Sequence, residues 1–105
     1  NVQVISLPRH NCERRDFVSR RFRSIGLPFS FFDATDAEEL SDDWISKNVA
    51  SAGCWDWGAR RRVVKALSRP EVACADSHRR LARALLHSGE ESVFVFEDDT
   101  SPLSY

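Results

Sequence analysis

Residues 2–7 read V-Q-V-I-S-L, and this run ends at Pro8. A short, β-branched apolar run closed by proline is typical of a buried strand. Residues 29–33, F-S-F-F-D, form a second such run, and the helical pattern between the two begins after Asn11 and stops at Gly26. The order of strand, helix and strand predicts a β-α-β unit with two parallel strands side by side.

The downstream half continues this alternation. Its predicted elements are a short helix capped by Ser41, a surface loop over residues 50–58, a helix over 59–67, a longer helix from Arg69-Pro70 to His87 that Gly89 ends, and a buried strand over 93–96. The whole pattern predicts an α/β domain with a mainly parallel sheet.

Apolar residues three and four apart predict the face that each long helix buries. In the first helix these residues are Val18, Phe22 and Ile25. In the long helix they are Ala75, His78, Ala82 and Leu85. His78 is therefore predicted to be a buried, hydrogen-bonded histidine, with a catalytic base or a ligand as the alternative.

Composition excludes several classes of protein. The 105 residues carry 15 basic and 16 acidic side chains, so no field of one sign is present to attract nucleic acid. No apolar run approaches the roughly 20 residues of a transmembrane helix, and the N-terminus lacks a signal-peptide layout. Three widely spaced cysteines indicate neither a zinc motif nor a disulfide framework, so the sequence predicts a cytoplasmic protein.

The residues 97–99, E-D-D, follow the last predicted strand directly. Adjacent carboxylates repel one another, and a divalent cation offsets that repulsion. Asp98 and Asp99 are therefore candidate ligands of Mg²⁺ or Mn²⁺, which prefer oxygen donors and bridge to phosphate. A solvated acidic turn is the alternative interpretation.

Other candidate residues lie at the ends of the first two strands. Arg9, Arg14 and Arg15 are placed to reach a phosphate, although exposed helix arginines are common. Asp33 and Asp36 follow the second strand, where a carboxylate can accept from a ribose hydroxyl. The neighbours Ser77 and His78 point in different directions on a helix, which argues against a serine hydrolase.

Four blocks of sequence together resemble the family 25 glycosyltransferases of lipopolysaccharide biosynthesis. In chain order they are V-Q-V-I-S-L-P-R with Arg14-Arg15, L-P-F-S-F-F-D-A-T-D, L-S-R-P-E-V-A-C-A-D-S-H and V-F-V-F-E-D-D-T. Residues 37–66 match least. The chain departs from the family at Pro70 and Ala73, where the family has glycine.

The resemblance implies a Rossmann-like GT-A fold and transfer of a sugar, often galactose from a UDP-galactose donor, with inversion and with Mn²⁺ or Mg²⁺. The implied acceptor is a lipooligosaccharide or lipopolysaccharide glycan, reached by peripheral association with the inner face of the bacterial inner membrane. By position, the resemblance places Leu7 and Arg9 near the base and Asp33 and Asp36 near the nucleoside. It places Asp98 and Asp99 at the metal and diphosphate.

The family's central motif matches Glu71, Ser77 and His78, whose exact roles the resemblance does not define. By this match, Ser77 and His78 are candidate cofactor-binding residues, and the alternative is that they only shape the site. No general base is assigned. The sequence starts at Asn1 without methionine and stops six residues after Asp99, so residues 1–105 are expected to be part of one such domain, with weak donor binding and little or no catalysis. The alternative is a diverged or truncated α/β module without activity that binds a nucleotide or a protein partner.

Overall fold

A computed structural model describes residues 1–8, 12–49, 53–64 and 67–99, with backbone alone for residues 53–56 and 62–64. The predicted positions Arg9 and Asn11 lie outside the described residues. In chain order the elements are β1 (Val2–Ser6), α1 (Cys12–Ser24), β2 (Ser30–Asp33), a 3-10 turn (Ala37–Glu39), α2 (Asp42–Asn48), β3 (Gly53–Asp56), β4 (Arg61–Val64), α3 (Arg69–Ser88) and β5 (Phe94–Glu97).

Within the described ranges, the main sheet is parallel and has three strands in the order β2-β1-β5. Val4 of the central strand is in register with Phe31 on one side and Phe96 on the other. The predicted α/β class and the parallel pairing of the first two strands are confirmed. Because all three strands run the same way, their carboxyl ends meet at one edge of the sheet.

One face of this sheet packs on α1. Val4, Val18 and Phe22 are at most 1% exposed and form the centre of that core. The Phe22 ring lies 5.0 Å from the Phe29 ring and 5.4 Å from the Phe96 ring, centroid to centroid. These separations are typical of tilted and edge-to-face aromatic pairs, which add to the free energy of burial.

The predicted end of α1 is confirmed, but Ile25 is 51% exposed instead of buried. Gly26 has a φ of 68°, and its N–H donates to the Arg23 carbonyl while Leu27 N–H donates to the Phe22 carbonyl. These two hydrogen bonds form a Schellman cap. Ile25 lies in the cap, where the chain leaves the helical path, so helical spacing no longer predicts its face.

The predicted boundaries of α3 are confirmed. Ser68 and Glu71 form a reciprocal capping box, Pro70 lies in the first turn, and Gly89 ends the helix with a φ of 74°. The predicted buried face is wrong, because Ala75, His78 and Ala82 are exposed. The residues that α3 buries are Val72, Ala73, Asp76, Ser77 and Leu81. Apolar spacing missed this face because two of its members are polar and are hydrogen-bonded inside the fold.

The helix predicted over 59–67 is also wrong. Arg61–Val64 is strand β4, which pairs antiparallel with Gly53–Asp56, so part of the predicted loop is strand β3. Arg60, with a φ of 50°, lies in the turn between the two strands. Val63 and Val64 are β-branched residues, which are common in strands. Residues 61–64 form a strand because they pair with β3, and spacing along the sequence does not reveal that pairing.

The last strand is less buried than its sequence predicted. Phe94 is 69% exposed and Val95 is 37% exposed. Among the described residues β5 lies at an edge of the sheet and pairs with β1 on one side, whereas an apolar run of this kind predicts burial on both faces. Phe96, in contrast, packs against the α1 core as expected.

The helices of the described part include no segment that is both long and apolar enough to cross a membrane. Even α3, at 20 residues, carries polar side chains along its whole length, including four arginines. The expectation that this part of the sequence contains no transmembrane helix agrees with that finding.

Candidate functional site

An open cleft lies where the three parallel strands end. Its volume is about 220 Å³, and its walls include Leu7, Ala34, Cys74, Ser77 and Asp98. In open α/β sheets, ligands bind at the carboxyl ends of the strands. The cleft is smaller than the roughly 300–1,000 Å³ of a typical ligand pocket, so it accommodates part of a larger ligand.

A continuous chain of hydrogen bonds joins the ends of the three strands. Arg15 donates to Asp33 Oδ1 over 2.7 Å and to the Ser6 carbonyl oxygen over 3.0 Å. Ser6 Oγ then donates to Asp98 Oδ2 over 2.9 Å. Ser6 is 1% exposed and the Asp98 side chain 12%, whereas the Asp33 side chain is 66% exposed, so the chain begins at the surface and ends inside the protein. It holds the Asp98 carboxylate in one orientation.

Arg14 also contacts Asp98, but in a different environment. Its guanidinium donates to Asp98 Oδ1 over 3.3 Å, and its side chain is 62% exposed. An ion pair with one partner mostly in water contributes about 0–1 kcal/mol. Arg14 can therefore leave this contact at little cost and reorient toward an anion in the cleft.

The side chains at the end of β5 suit a hard cation. Asp98 and the exposed Asp99 offer carboxylate oxygens, the donors that Mg²⁺ and Mn²⁺ prefer. Among the described residues, no group of three potential metal-ligating side chains contains Asp98 or Asp99. One or two protein carboxylates suffice for such an ion, however, because it keeps water ligands and takes oxygens from phosphate.

The loop after β2 is fixed by α3. Ser77 Oγ accepts from the Thr35 backbone N–H over 2.9 Å and donates to the Ala73 carbonyl over 2.8 Å. The Thr35 hydroxyl donates to Asp76 Oδ2 over 2.6 Å and accepts from Arg80 over 3.1 Å. The second and third sequence blocks therefore contact each other directly. Ser77 lines the cleft, but its hydroxyl is used to position the loop.

The side chains of Glu97 and Asp98 point to opposite faces of the sheet. Its Oε1 lies 3.1 Å from His78 Nε2 and 3.6 Å from Cys74 Sγ, both on α3. Successive residues of a strand point to opposite faces, so Glu97 meets α3 while Asp98 meets Ser6 and α1. His78 has a side chain 47% exposed and is not the buried histidine that its helical position predicted.

The environment of Cys74 keeps its thiol protonated. Partial burial, followed by the charge and hydrogen bond of Glu97 and the charge of Asp99, raises the pKa of the Cys74 thiol. A thiolate beside two carboxylates would be unfavourable for the same electrostatic reason. Unless a cation binds nearby, Cys74 is therefore a weak nucleophile.

The other predicted site residues occupy defined positions. Leu7 lines the cleft, and Asp33 is bound to Arg15 at the end of β2. The Asp36 carboxylate accepts from the Glu38 N–H and caps the 3-10 turn. Sequence reasoning missed Ser6, although it shares the core-facing side of β1 with Val4. A polar residue on that side at a strand end was the available signal.

Burial alone would raise the pKa of Asp76, but hydrogen bonds from Thr35 and Arg79 and the charges of Arg79 and Arg80 hold it below its ordinary value. A lowered folded-state pKa stabilises the fold above the unfolded value of about 3.9, and this stability is lost as the pH falls further. Asp76→Asn should therefore cost about 1–3 kcal/mol near pH 6, and much less near pH 3.

Urea unfolding of both proteins across that pH range measures the difference. Asp43→Asn is the matched control, since Asp43 is exposed and forms an ion pair with Lys47 one turn along α2. Its effect should stay within about 0.5 kcal/mol at any pH. A loss for Asp76→Asn that does not shrink on acidification would contradict the assigned role of the Asp76 charge.

Comparison with known proteins identifies the family. The model of glycosyltransferase family 25, described as an LPS biosynthesis protein family, matches residues 1–101. The chain belongs to this family. The E-D-D residues and the strand ends described above all lie within the matched range.

Among characterised proteins, the chain is similar to lacto-N-neotetraose biosynthesis glycosyltransferases. It is 34% identical over 96 residues to LgtB and to LgtE of Neisseria gonorrhoeae, and 35% identical to LgtE of Neisseria meningitidis serogroup B. Each alignment covers 91% of this chain but 31% of the relative, so the chain spans about a third of the length of these relatives. No solved structure matches the chain significantly.

Proposed function

We propose that the chain is the donor-binding part of a glycosyltransferase with a GT-A type fold. The proposed reaction moves galactose from UDP-galactose to a lipooligosaccharide or lipopolysaccharide acceptor, with inversion and with Mn²⁺ or Mg²⁺. Membership of family 25 and similarity to the lacto-N-neotetraose enzymes support this class of reaction. The proposed place of action is the cytoplasmic face of a bacterial inner membrane, reached by peripheral association.

The observation that carries the proposal is the hydrogen-bond chain across the strand ends. It runs from Asp33 through Arg15 and Ser6 to Asp98, over distances of 2.7 to 3.3 Å. It connects the loop proposed to hold the nucleoside with the carboxylate proposed to hold the metal. A site whose groups are already oriented loses less conformational freedom when ligand binds.

Asp98 and Asp99 would hold the cation, which when bound would neutralise charge that develops on the departing diphosphate. Arg14 would turn from Asp98 toward a phosphate oxygen, where its planar guanidinium can bind in a bidentate manner. Leu7 would pack beside the base, while the Asp33 and Asp36 carboxylates would lie near the ribose. The acceptor hydroxyl needs a general base, and no described residue is assigned to that role.

Binding of UDP followed by nuclear magnetic resonance tests the location of this site. With Mg²⁺ present, UDP should shift the backbone amide signals of Ser6, Leu7, Thr35 and Asp98. Signals of residues far from the cleft, such as Lys47 on α2 and Arg60 in the β3–β4 turn, serve as internal controls. Shifts confined to the control residues, or no shifts in a folded chain, would remove the support for a donor site here.

A further inference from the structure

We propose that Cys74, His78 and Glu97 form a binding site for Zn²⁺ or a similar transition-metal ion. This site would be separate from the hard-cation site proposed at Asp98 and Asp99. Its three side chains offer one sulfur, one nitrogen and one oxygen atom, all within 4.8 Å of one another. Zinc binding would need no nucleotide, so the inference does not depend on the proposed transferase function.

The two donor-atom separations that involve Glu97 are close to those around a tetrahedral zinc ion. Zinc bonds of about 2.3 Å to sulfur and 2.0–2.1 Å to nitrogen and oxygen place tetrahedral ligand atoms about 3.3–3.6 Å apart. Here Glu97 Oε1 lies 3.6 Å from Cys74 Sγ and 3.1 Å from His78 Nε2. Both ligand pairs are therefore near the required separation before any ion binds.

The backbone holds the three ligands in place. Cys74 and His78 are four residues apart on α3, so they project from the same face of the helix. Glu97 is the last residue of β5 and points toward that face. Two ligands on one rigid helix and a third on a neighbouring strand need little rearrangement to close on an ion.

The ligand types favour zinc over Mn²⁺ or Mg²⁺. A thiolate and an imidazole are softer donors than the carboxylates preferred by hard cations. Three protein ligands also leave a fourth position open, and Cys74 and Glu97 both line the cleft. The bound ion would join α3 to the end of β5 and place a positive charge beside the proposed donor site.

Cobalt binding tests the proposal, because Co²⁺ replaces zinc and reports its ligands by absorbance. The sequence contains three cysteines, so Cys12→Ser/Cys54→Ser leaves Cys74 as the single thiol. Adding Co²⁺ to this variant should give a thiolate-to-cobalt charge-transfer band and the intense visible bands of tetrahedral cobalt. Zinc should then displace cobalt and remove both signals.

Three further substitutions decide which residues bind. In the Cys12→Ser/Cys54→Ser variant, the additional substitution Cys74→Ser should abolish the charge-transfer band. His78→Gln should weaken zinc binding by at least about tenfold, since loss of a residue that only supports a ligand already costs about 10–100-fold. His87→Gln, on the same helix, should not weaken zinc binding, because His87 is hydrogen-bonded to the Arg83 carbonyl oxygen one turn away.

Asp98→Asn should change zinc affinity much less than His78→Gln does, which would separate this site from the proposed donor site. Cys74 and His78 are exposed, so their variants should fold, and circular dichroism checks that they do. A folded single-thiol protein with no charge-transfer band would overturn the proposal. Equal zinc affinity in the His78→Gln variant and the unaltered chain would do the same.

Discussion

Replacing Phe22 by alanine should lower the free energy of unfolding by about 3–5 kcal/mol, the usual cost of removing a buried phenylalanine. Phe22 is 1% exposed and its ring packs on both Phe29 and Phe96. The substitution leaves a cavity where α1, the turn after it and the edge strand β5 meet. Urea unfolding monitored by circular dichroism measures the loss.

Phe17→Ala is the matched control, because it removes the same side chain from the same helix. Phe17 is 43% exposed and contacts the Arg21 guanidinium at 5.3 Å from the ring centroid. Its loss should cost about 1 kcal/mol or less. If Phe22→Ala fails to fold, Phe22→Leu should still fold and should cost less than the alanine variant, because it removes fewer buried atoms. Equal effects of the two alanine variants would contradict the assignment of Phe22 to the core.

Asp98→Asn should weaken metal-dependent binding of UDP by at least about tenfold, or about 1.4 kcal/mol. The substitution removes the charge that a divalent cation needs but keeps an oxygen that can accept from Ser6 Oγ. The variant should therefore still fold, and the loss should appear in its affinity for UDP. Calorimetric titration of UDP in the presence of Mn²⁺ measures it.

Asp16→Asn provides the control for this experiment. Asp16 is an exposed carboxylate of α1, so its loss changes the net charge by the same amount without touching Asp98. Its UDP affinity should match that of the unaltered chain. Equal affinities of the Asp98→Asn and Asp16→Asn proteins would show that Asp98 does not hold the metal.

Local signals in the sequence predicted most of the parallel core. The runs at Val2–Ser6 and Ser30–Asp33, the stop at Gly26 and the start of α3 at Arg69 all depend on nearby residues. The β3–β4 hairpin was missed because each strand is specified by its partner. The exposure of Phe94 was missed for a related reason, since an apolar run does not reveal its place in the sheet.

The candidate site was predicted by residue type more than by role. Asp98 lies at the end of its strand as expected, and Arg14 and Asp33 are linked to it through the polar network. The different contacts of Glu97 and Asp98 were not predicted. The E-D-D pattern does not show that Glu97 contacts α3 while Asp98 contacts Ser6. The burial of Asp76 and Ser77 was likewise not predicted, because the spacing of apolar residues gives no information on hydrogen bonds between polar side chains.

The dependence of UDP binding on metal in the unaltered chain tests the central claim most directly. UDP is titrated calorimetrically with Mn²⁺ present and again after the metal is removed by a chelator. We expect saturable binding with Mn²⁺ and a loss of affinity of at least about tenfold with the chelator. Equal binding under both conditions, or no binding by a folded chain with Mn²⁺ present, would contradict a metal-assisted nucleotide-sugar site at the end of β5.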